Sequence, residues 1–323
     1  MNNIVPGDIK PVFPNTVSPS AVREKLMELL GLGPVPEKIE CVAGISHDED
    51  GIRLTRVSFQ NSLGEPVPAI LMHPADSKPN ECPGVVCVPG TGGSAERVAH
   101  NRFYREALDR GPLYGWGREL ARRGFAALAI SPKGCVARCN DPVKWQLENQ
   151  ILAPYGITQM GILVEEALKA ARVLAAQEIV ARDRLGITGM SLGGNATWYA
   201  LACAPWLRSG VPICGGLGRL DSVIHSGDLY RHSAYFYIPH MLRHFDHPEV
   251  VSACVVPRPF MMVSPTQDED MPRSGVDDLI RTVKPAYEVS GLPGHFKVYQ
   301  PDGNHVFKFE YFEWMVDWFN RYL

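Results

Sequence analysis

The spacing of hydrophobic and polar residues predicts three antiparallel strands in the first quarter of the chain. Between residues 39 and 75, apolar and polar positions alternate in three stretches, which turn signals at Asp50-Gly51 and Leu63-Gly64 separate. Alternation with a period of two is typical of strands with one buried face, and short turns join such strands as antiparallel neighbours. We predict strands at residues 39–47, 52–60 and 67–75.

From Pro83 onward the pattern is that of a parallel sheet covered by helices. Short, wholly apolar runs such as PGVVCVPG and FAALAIS alternate with segments whose apolar residues recur every three or four positions. Such runs predict strands buried on both faces, and the amphipathic segments predict helices that pack on them. The fold class is therefore α/β, with a mostly parallel twisted sheet, helices on both faces and an antiparallel leading section. We predict helices at about 100–123, 158–180 and 275–290, a helix after Ser191 and a closing helix.

The first 40 residues differ from the rest. Residues 1–18 are rich in Pro, Asn and Ser and show no periodicity, which predicts an irregular arm. Ser18 or Ser20 can cap a short helix at about 20–31, which Gly31 ends. We expect residues 41–323 to form one α/β domain, with a cap or pocket insertion at about 217–252.

Composition narrows the classes of partner and location. The chain has 323 residues, 45% of them hydrophobic, which is enough for one large core. A net charge of -3 offers no basic excess to neutralise a phosphate backbone, so no nucleic-acid partner is expected. The sequence has neither a secretion signal nor a run of about 18 apolar residues. We therefore expect a cytoplasmic protein without membrane association. The sequence does not predict its oligomeric state, and a homo-oligomer is one of the alternatives.

The segment RLGITGMSLGG predicts a nucleophilic serine. It places Gly189-Met190-Ser191-Leu192-Gly193 where an apolar strand ends and a helix begins, which is the context that the G-x-S-x-G pattern requires. The turn strains the serine backbone, so small residues are needed two positions to either side. A glycine-rich helix start without function would give the same letters, but the flanking strand and helix favour a nucleophile.

A serine hydroxyl needs a histidine base, and His305 is the best candidate. Proteins with this turn carry an acid and then a histidine later in the chain. His305 follows the last predicted strand, in a turn that precedes the closing helix. His295 lies at the start of that strand and is expected at the opposite edge of the sheet.

The acid that orients His305 should follow the preceding strand, where PFMMVSPTQDEDMP offers Asp268, Glu269 and Asp270. Asp268 lies three residues after Pro265 and four before Pro272, a spacing that resembles the strand, turn, Asp and Pro arrangement usual for this acid, and it is favoured over Asp270 for that reason. Asp221, after the strand VPICGG, is a weaker alternative. Each of these carboxylates could also be a solvated loop residue.

Two backbone N–H groups are expected to form an oxyanion hole, which stabilises the negative oxygen of a tetrahedral intermediate. One belongs to Leu192, directly after the serine. The other is assigned to Thr91, in the run Gly90-Thr91-Gly92-Gly93 that follows an apolar strand. A phosphate-binding loop is the weaker interpretation, because no Gly-Lys-Ser/Thr follows.

Three further clusters lie outside these motifs. Tyr235, Phe236 and Tyr237 lie in the insertion and are candidates to contact substrate, although core positions suit them equally. His240 and His244 would share a helix face, but no Glu lies between them, and no metal site is expected. Cys135 and Cys139 are expected to be free thiols, because they lack further Cys or His pairs.

Together, GMSLGG, CVPGTGG, the PRPF segment and GNHVF resemble the dienelactone hydrolase and acetyl-xylan-esterase-like branch of the α/β hydrolases, over roughly residues 65–323. The resemblance implies an α/β-hydrolase fold, a carboxylic ester or lactone substrate, no cofactor, and a triad of Ser191, Asp268 and His305. Dienelactone hydrolases carry a cysteine nucleophile, so the esterase side is nearer. Pro89 stands where a His is common before Gly90.

The sequence thus predicts a serine esterase. An acyltransferase or a small peptidase would use the same side chains, with a different acceptor or leaving group. A relative that keeps this fold as a non-catalytic binding protein is a further alternative.

Overall fold

The computed structural model describes residues 18–101, 113–135, 138, 142–226 and 228–323. Residues 1–17 of the predicted arm lie outside the described residues, as do residues 102–112 of the helix predicted at 100–123. Among the described helices, none combines the length and the apolar composition that crossing a bilayer requires.

In the described part of the chain, nine strands form one sheet. They are β1 (Cys41–Glu49), β2 (Ile52–Gln60), β3 (Pro66–Pro74), β4 (Cys82–Val88), β5 (Ala126–Ile130), β6 (Val180–Met190), β7 (Ser209–Ile213), β8 (Phe260–Val263) and β9 (Phe296–Tyr299).

The strand order is β1-β2-β3-β5-β4-β6-β7-β8-β9. The strands β1, β2, β3 and β5 pair as antiparallel neighbours, and β5, β4, β6, β7, β8 and β9 are parallel. The predicted antiparallel leading section and the parallel sheet are both confirmed. Because the parallel strands share one direction, their carboxyl ends meet at one edge, where the loops after β4, β6, β8 and β9 come together.

Ten α-helices accompany the sheet within the described residues. They are α1 (Pro19–Leu30), α2 (Ala95–Val98), α3 (Trp116–Arg122), α4 (Pro142–Leu152), α5 (Gln159–Ala175), α6 (Leu192–Cys203), α7 (Leu220–Ser226), α8 (His247–Cys254), α9 (Arg273–Val289) and α10 (Phe309–Tyr322).

Hydrophobic side chains pack on both faces of the sheet. Along β4, Val86 belongs to the cluster that includes residues of α5 and α6, while Val85 and Cys87 belong to the cluster that includes residues of α3 and α10. Neighbouring strand residues point to opposite faces, so these helices form two separate layers. Helices on both faces, as the sequence predicts, hold the parallel strands rigidly below the loops at their carboxyl ends.

The N-terminal helix is fixed to the domain by its caps and by its buried face. The Ser18 hydroxyl accepts a hydrogen bond from the backbone N–H of Ala21, and Gly31 ends the helix with a φ of 67°. Leu26 and Leu30 are fully buried, and Arg23 Nε donates to the carbonyl oxygen of Ala202. The helix predicted at about 20–31 is thus present as α1, and it packs against α6.

Several predicted boundaries are wrong for identifiable reasons. The helix expected at 100–123 cannot run through Gly115, whose φ of 70° is left-handed, and only α3 follows it. The helix expected at 158–180 ends at Ala175, because β6 already begins at Val180. The segment at 217–252, expected to be a cap or pocket insertion, contains α7 and the capped start of α8. The helix α4 was not predicted.

Candidate active site

Ser191 lies in a sharp turn between β6 and α6. Its φ of 56° and ψ of −122° are values that a residue with a side chain rarely adopts. Its backbone N–H donates to the carbonyl oxygen of Ile213 at 2.9 Å, which fixes the turn to the neighbouring strand β7. A strained serine at a strand-to-helix turn is the geometry of a nucleophile held ready to react.

Glycines make this turn sterically feasible. A Cβ atom on Gly193 would lie 2.0 Å from the carbonyl oxygen of Val88, and one on Gly189 would lie 2.4 Å from the same oxygen. Both distances are far inside van der Waals contact. The small residues that the sequence analysis required on each side of Ser191 are therefore needed because the end of β4 passes directly against the turn.

His305 and Asp268 form a hydrogen-bonded pair on neighbouring loops. The Asp268 carboxylate lies after β8 and His305 lies after β9, and His305 Nδ1 donates to Asp268 Oδ1 at 2.9 Å. An ionised carboxylate can only accept, so the ring carries its hydrogen on Nδ1 and leaves Nε2 as an acceptor. That arrangement is the one a general base requires.

A second carboxylate stands close to the same ring. Asp270 Oδ2 lies 3.5 Å from His305 Nδ1, and the Asp270 side chain is 13% exposed, against 3% for Asp268. Asp268 Oδ1 also accepts the backbone N–H of Asp270, at 2.9 Å. The structure thus brings both candidate acids to His305, with Asp268 nearer and more deeply buried. Asp221 lies in α7 and pairs with His225 instead.

The pKa of His305 is raised above its ordinary value of 6.5. Burial acts to lower the pKa of this ring, but the hydrogen bond that the ring donates to Asp268 and the negative charges of Asp268 and Asp270 outweigh it. Because a general base must be neutral, kcat/KM is expected to fall as the pH drops through a pKa above 6.5. Replacement of Asp270 by Asn removes one of the negative charges. The acidic limb of the pH–rate profile, where kcat/KM falls, should therefore move to lower pH.

A pH–rate profile of wild type and Asp270→Asn, measured on a neutral ester between about pH 5 and 9, tests this expectation. The exposed carboxylate of Glu288 in α9 offers a control, since Glu288→Gln should leave the limb where it is. An unchanged or higher limb in Asp270→Asn would contradict the assigned cause of the raised pKa.

The insertion contacts the loop that carries both acids. Arg231 forms an ion pair with Glu269, and its Nε lies 3.4 Å from Asp270 Oδ1. His232 Nε2 donates to the backbone carbonyl of Asp270 at 2.6 Å. No local sequence signal indicates these contacts, because their partners are almost 40 residues apart.

Cys214 is a further residue that the sequence analysis did not single out. It follows β7 with a φ of 47°, and its thiol lies within 4.8 Å of a carboxylate oxygen of Asp268 and a ring nitrogen of His305. Burial raises the pKa of the thiol well above its ordinary value. Cys214 is therefore a neutral thiol that packs against the pair.

A cavity of about 170 Å³ joins these elements. Ser191 and His305 both line it, but no hydrogen bond connects their side chains in the part of the chain that the structure describes. Such bonds are often long before substrate binds. The lining residues are Pro89, Gly90, Thr91, Gly93, Arg97, Val98, Leu113, Trp116, Met190, Ser191 and His305.

The glycine-rich loop after β4 lies beside the serine. A Cβ on Gly90 would be 3.1 Å from the carbonyl oxygen of Met190, so the loop backbone passes close to the turn. Thr91 lines the cavity, and Leu192 is the first residue of α6, where free N–H groups and the helix dipole favour negative charge. Both N–H groups chosen from the sequence thus belong to segments that border the cavity.

The three aromatic candidates in the insertion do not line the cavity. Tyr235 is 7% exposed and Phe236 2% exposed, and the Phe236 ring stacks on His232 at 3.7 Å between centroids. Burial raises the pKa of the Tyr235 hydroxyl, and this effect outweighs its hydrogen bond with the Thr91 side chain, which acts to lower the pKa. The Tyr237 hydroxyl donates to the carbonyl of Leu229. Tyr235 thus reaches Thr91, a residue of the cavity wall.

Two other expectations concern metals and thiols. His240 and His244 flank a short 3₁₀ helix, Met241–Arg243, so the helix face that they were expected to share does not exist. Cys135 is buried, and Cys139 lies outside the described residues.

Comparison with known proteins adds to this geometry. "Putative hydrolase YtaP" of Bacillus subtilis (strain 168) is 26% identical over 285 residues, which cover 88% of this chain and 92% of that protein. The acetyl xylan esterase from Paenibacillus sp. R4 has a TM-score of 0.66 and 18% identity, with 98% of both chains covered. A glucuronoyl esterase from Solibacter usitatus has a TM-score of 0.72 and 14% identity, with 94% of this chain and 92% of that one covered.

This chain has the α/β-hydrolase fold. The predicted resemblance to the dienelactone hydrolase and acetyl-xylan-esterase-like branch is confirmed at the level of the fold. No protein-family model matches the sequence.

Proposed function

We propose that this α/β-hydrolase-fold protein is a serine esterase that cleaves carboxylic esters or lactones through an acyl-enzyme on Ser191. The observation that carries the proposal is that one cavity is bordered by a strained serine at a strand-to-helix turn and by a histidine bonded to a buried carboxylate. The names of its relatives, a hydrolase and two esterases, support the same reaction class.

In the proposed reaction, Ser191 Oγ attacks the ester carbonyl while His305 Nε2 takes its proton. Asp268 holds the ring in the tautomer that leaves Nε2 free, and its charge stabilises the imidazolium. The N–H groups of Leu192 and Thr91 stabilise the negative oxygen of the tetrahedral intermediate. The alcohol leaves with the proton from His305, and water then releases the acid by the same steps.

Labelling with a fluorophosphonate probe tests the nucleophile. The wild type should take up one probe per chain, and Ser191→Ala should take up none, because the probe reacts only with an activated hydroxyl. Ser274→Ala, which removes an exposed serine at the start of α9, is the matched control and should be labelled normally. A folded wild type that stays unlabelled would favour a non-catalytic binding protein. Labelling of Ser191→Ala would show that another residue is the nucleophile.

Hydrolysis and acyl transfer use the same side chains and differ in the acceptor. Free acid as the main product in the presence of an added alcohol or amine supports hydrolysis, whereas a new ester or amide would indicate a transferase.

A further inference from the structure

One wall of the cavity carries a fixed positive charge. Arg97, in the short helix α2, is partly buried and lines the cavity together with Ser191 and His305. Its Nη2 donates to the hydroxyl of Tyr114 at 2.8 Å, and its guanidinium carbon lies 4.8 Å from the centre of the Tyr114 ring. The tyrosine therefore holds the guanidinium in one orientation at the cavity wall.

No carboxylate within the described residues forms an ion pair with Arg97. The adjacent Glu96 is directed elsewhere, because its Oε1 accepts a hydrogen bond from Arg56 at 3.0 Å. A partly buried guanidinium without a counter-ion has lost part of its hydration and gained no opposite charge. Its remaining N–H groups form a planar fork that matches both oxygens of a carboxylate.

The rest of the wall limits the size and polarity of what can enter. Four of the lining residues, Val98, Leu113, Trp116 and Met190, have apolar side chains. Its volume of about 170 Å³ is similar to that of an apolar cavity of roughly 150 Å³ that takes up benzene. A short carbon chain fits this space. If that chain carried a negative charge, Arg97 would be its cationic partner, because among the described lining residues the other group that can be positive is a protonated His305.

We propose that the substrate is a small ester that carries a carboxylate, and that Arg97 is the specificity residue that binds this carboxylate. The inference rests on the proposed esterase function. The carboxylate takes no part in bond making: Ser191 Oγ forms the acyl bond, the alkoxide leaves with the proton from His305, and water releases the acid. Arg97 holds the charged end and so sets the position of the carbonyl carbon.

Two pairs of esters distinguish a carboxylate on the acyl side from one on the alcohol side. Monoethyl glutarate is compared with ethyl valerate, and 4-acetoxybutanoate is compared with pentyl acetate. Each pair has a similar chain length and differs in the charge. The wild type is expected to hydrolyse the charged member of at least one pair with a kcat/KM that is higher by about 10-fold or more. Most of this difference should be a lower KM, because hydrogen bonds to a charged group strengthen substrate binding.

Variants of Arg97 then test the residue. The ratio of kcat/KM between charged and neutral ester should fall by about 10-fold in Arg97→Gln and by less in Arg97→Lys, which keeps the charge but not the planar fork. Arg273→Gln removes an exposed arginine in α9, and it should leave the ratio unchanged. This control separates binding in the cavity from the change in net charge.

A wild-type ratio at or below one in both pairs would overturn the inference, as would an Arg97→Gln ratio equal to that of the wild type. If Arg97→Gln does not fold, added salt decides: the ratio in the wild type should decline as ionic strength rises, and a constant ratio overturns the inference. Failure of the esterase function itself would look different, because the wild type would then hydrolyse neither the charged nor the neutral esters, or hydrolysis of both would persist in Ser191→Ala.

Discussion

Ser191→Ala, His305→Ala and the double variant are expected to lose the same amount of activity, on the order of 10⁶-fold in kcat. The serine is a weak nucleophile without its base, and the base has nothing to activate without the serine. The two side chains therefore act as one unit, and the second removal costs almost nothing more. Rates of 4-nitrophenyl acetate hydrolysis, measured for all three variants and the wild type, test this directly.

The controls for this cycle are residues of the same type far from the cavity. Ser274→Ala in α9 and His47→Ala on the exposed strand β1 should keep wild-type rates. Losses that multiply in the double variant would indicate that Ser191 and His305 act independently, and the triad would have to be abandoned.

Asp268→Asn is expected to lower kcat by about 10⁴-fold, while Asp270→Asn lowers it far less. An amide at position 268 can donate to His305 and would stabilise the tautomer with its hydrogen on Nε2, which cannot accept the proton of Ser191. Asp270 lies 3.5 Å from the ring nitrogen, against 2.9 Å for Asp268, and so contributes mainly its charge. Asp268→Asn and Asp270→Asn form a matched pair, because the same change is made two residues apart on one loop.

The pair also decides between the two acids. A larger loss in Asp270→Asn than in Asp268→Asn would assign the orienting role to Asp270. Asp268 also accepts the backbone N–H of Asp270, so the thermal midpoint of each variant should be measured to separate a displaced loop from a lost base.

Much of the fold was readable from the sequence because its strands are buried on both faces or alternate regularly. The run that became β4 is apolar throughout, and the stretch that became β2 alternates between buried and more exposed positions. Helix limits were harder, because Gly115 adopts a left-handed conformation that no pattern of apolar residues reveals. Most of α4 lacks a strong apolar stripe, so periodicity gave no signal for it.

The candidate site was predictable where it depends on the local chain. The turn at Ser191 needs glycines at fixed offsets, and the loop after the last strand is where a base can reach it. The remaining contacts depend on packing between distant segments. Arg97 and Cys214 carry no motif, and Phe236 was assigned equally to core and cavity because an aromatic ring suits both until His232 is seen stacked on it.

The contacts of Arg231 and His232 with the acid loop have a consequence for protein engineering. The segment at 217–252, a candidate for exchange in a chimaera, contacts the backbone and side chain of Asp270, two residues from the carboxylate that meets His305. A chimaera that receives this segment from a relative would change what contacts Asp270, and with it the position of the loop that carries the carboxylate bonded to His305. Grafts that retain this Arg-His pair should tolerate the exchange better than grafts that do not.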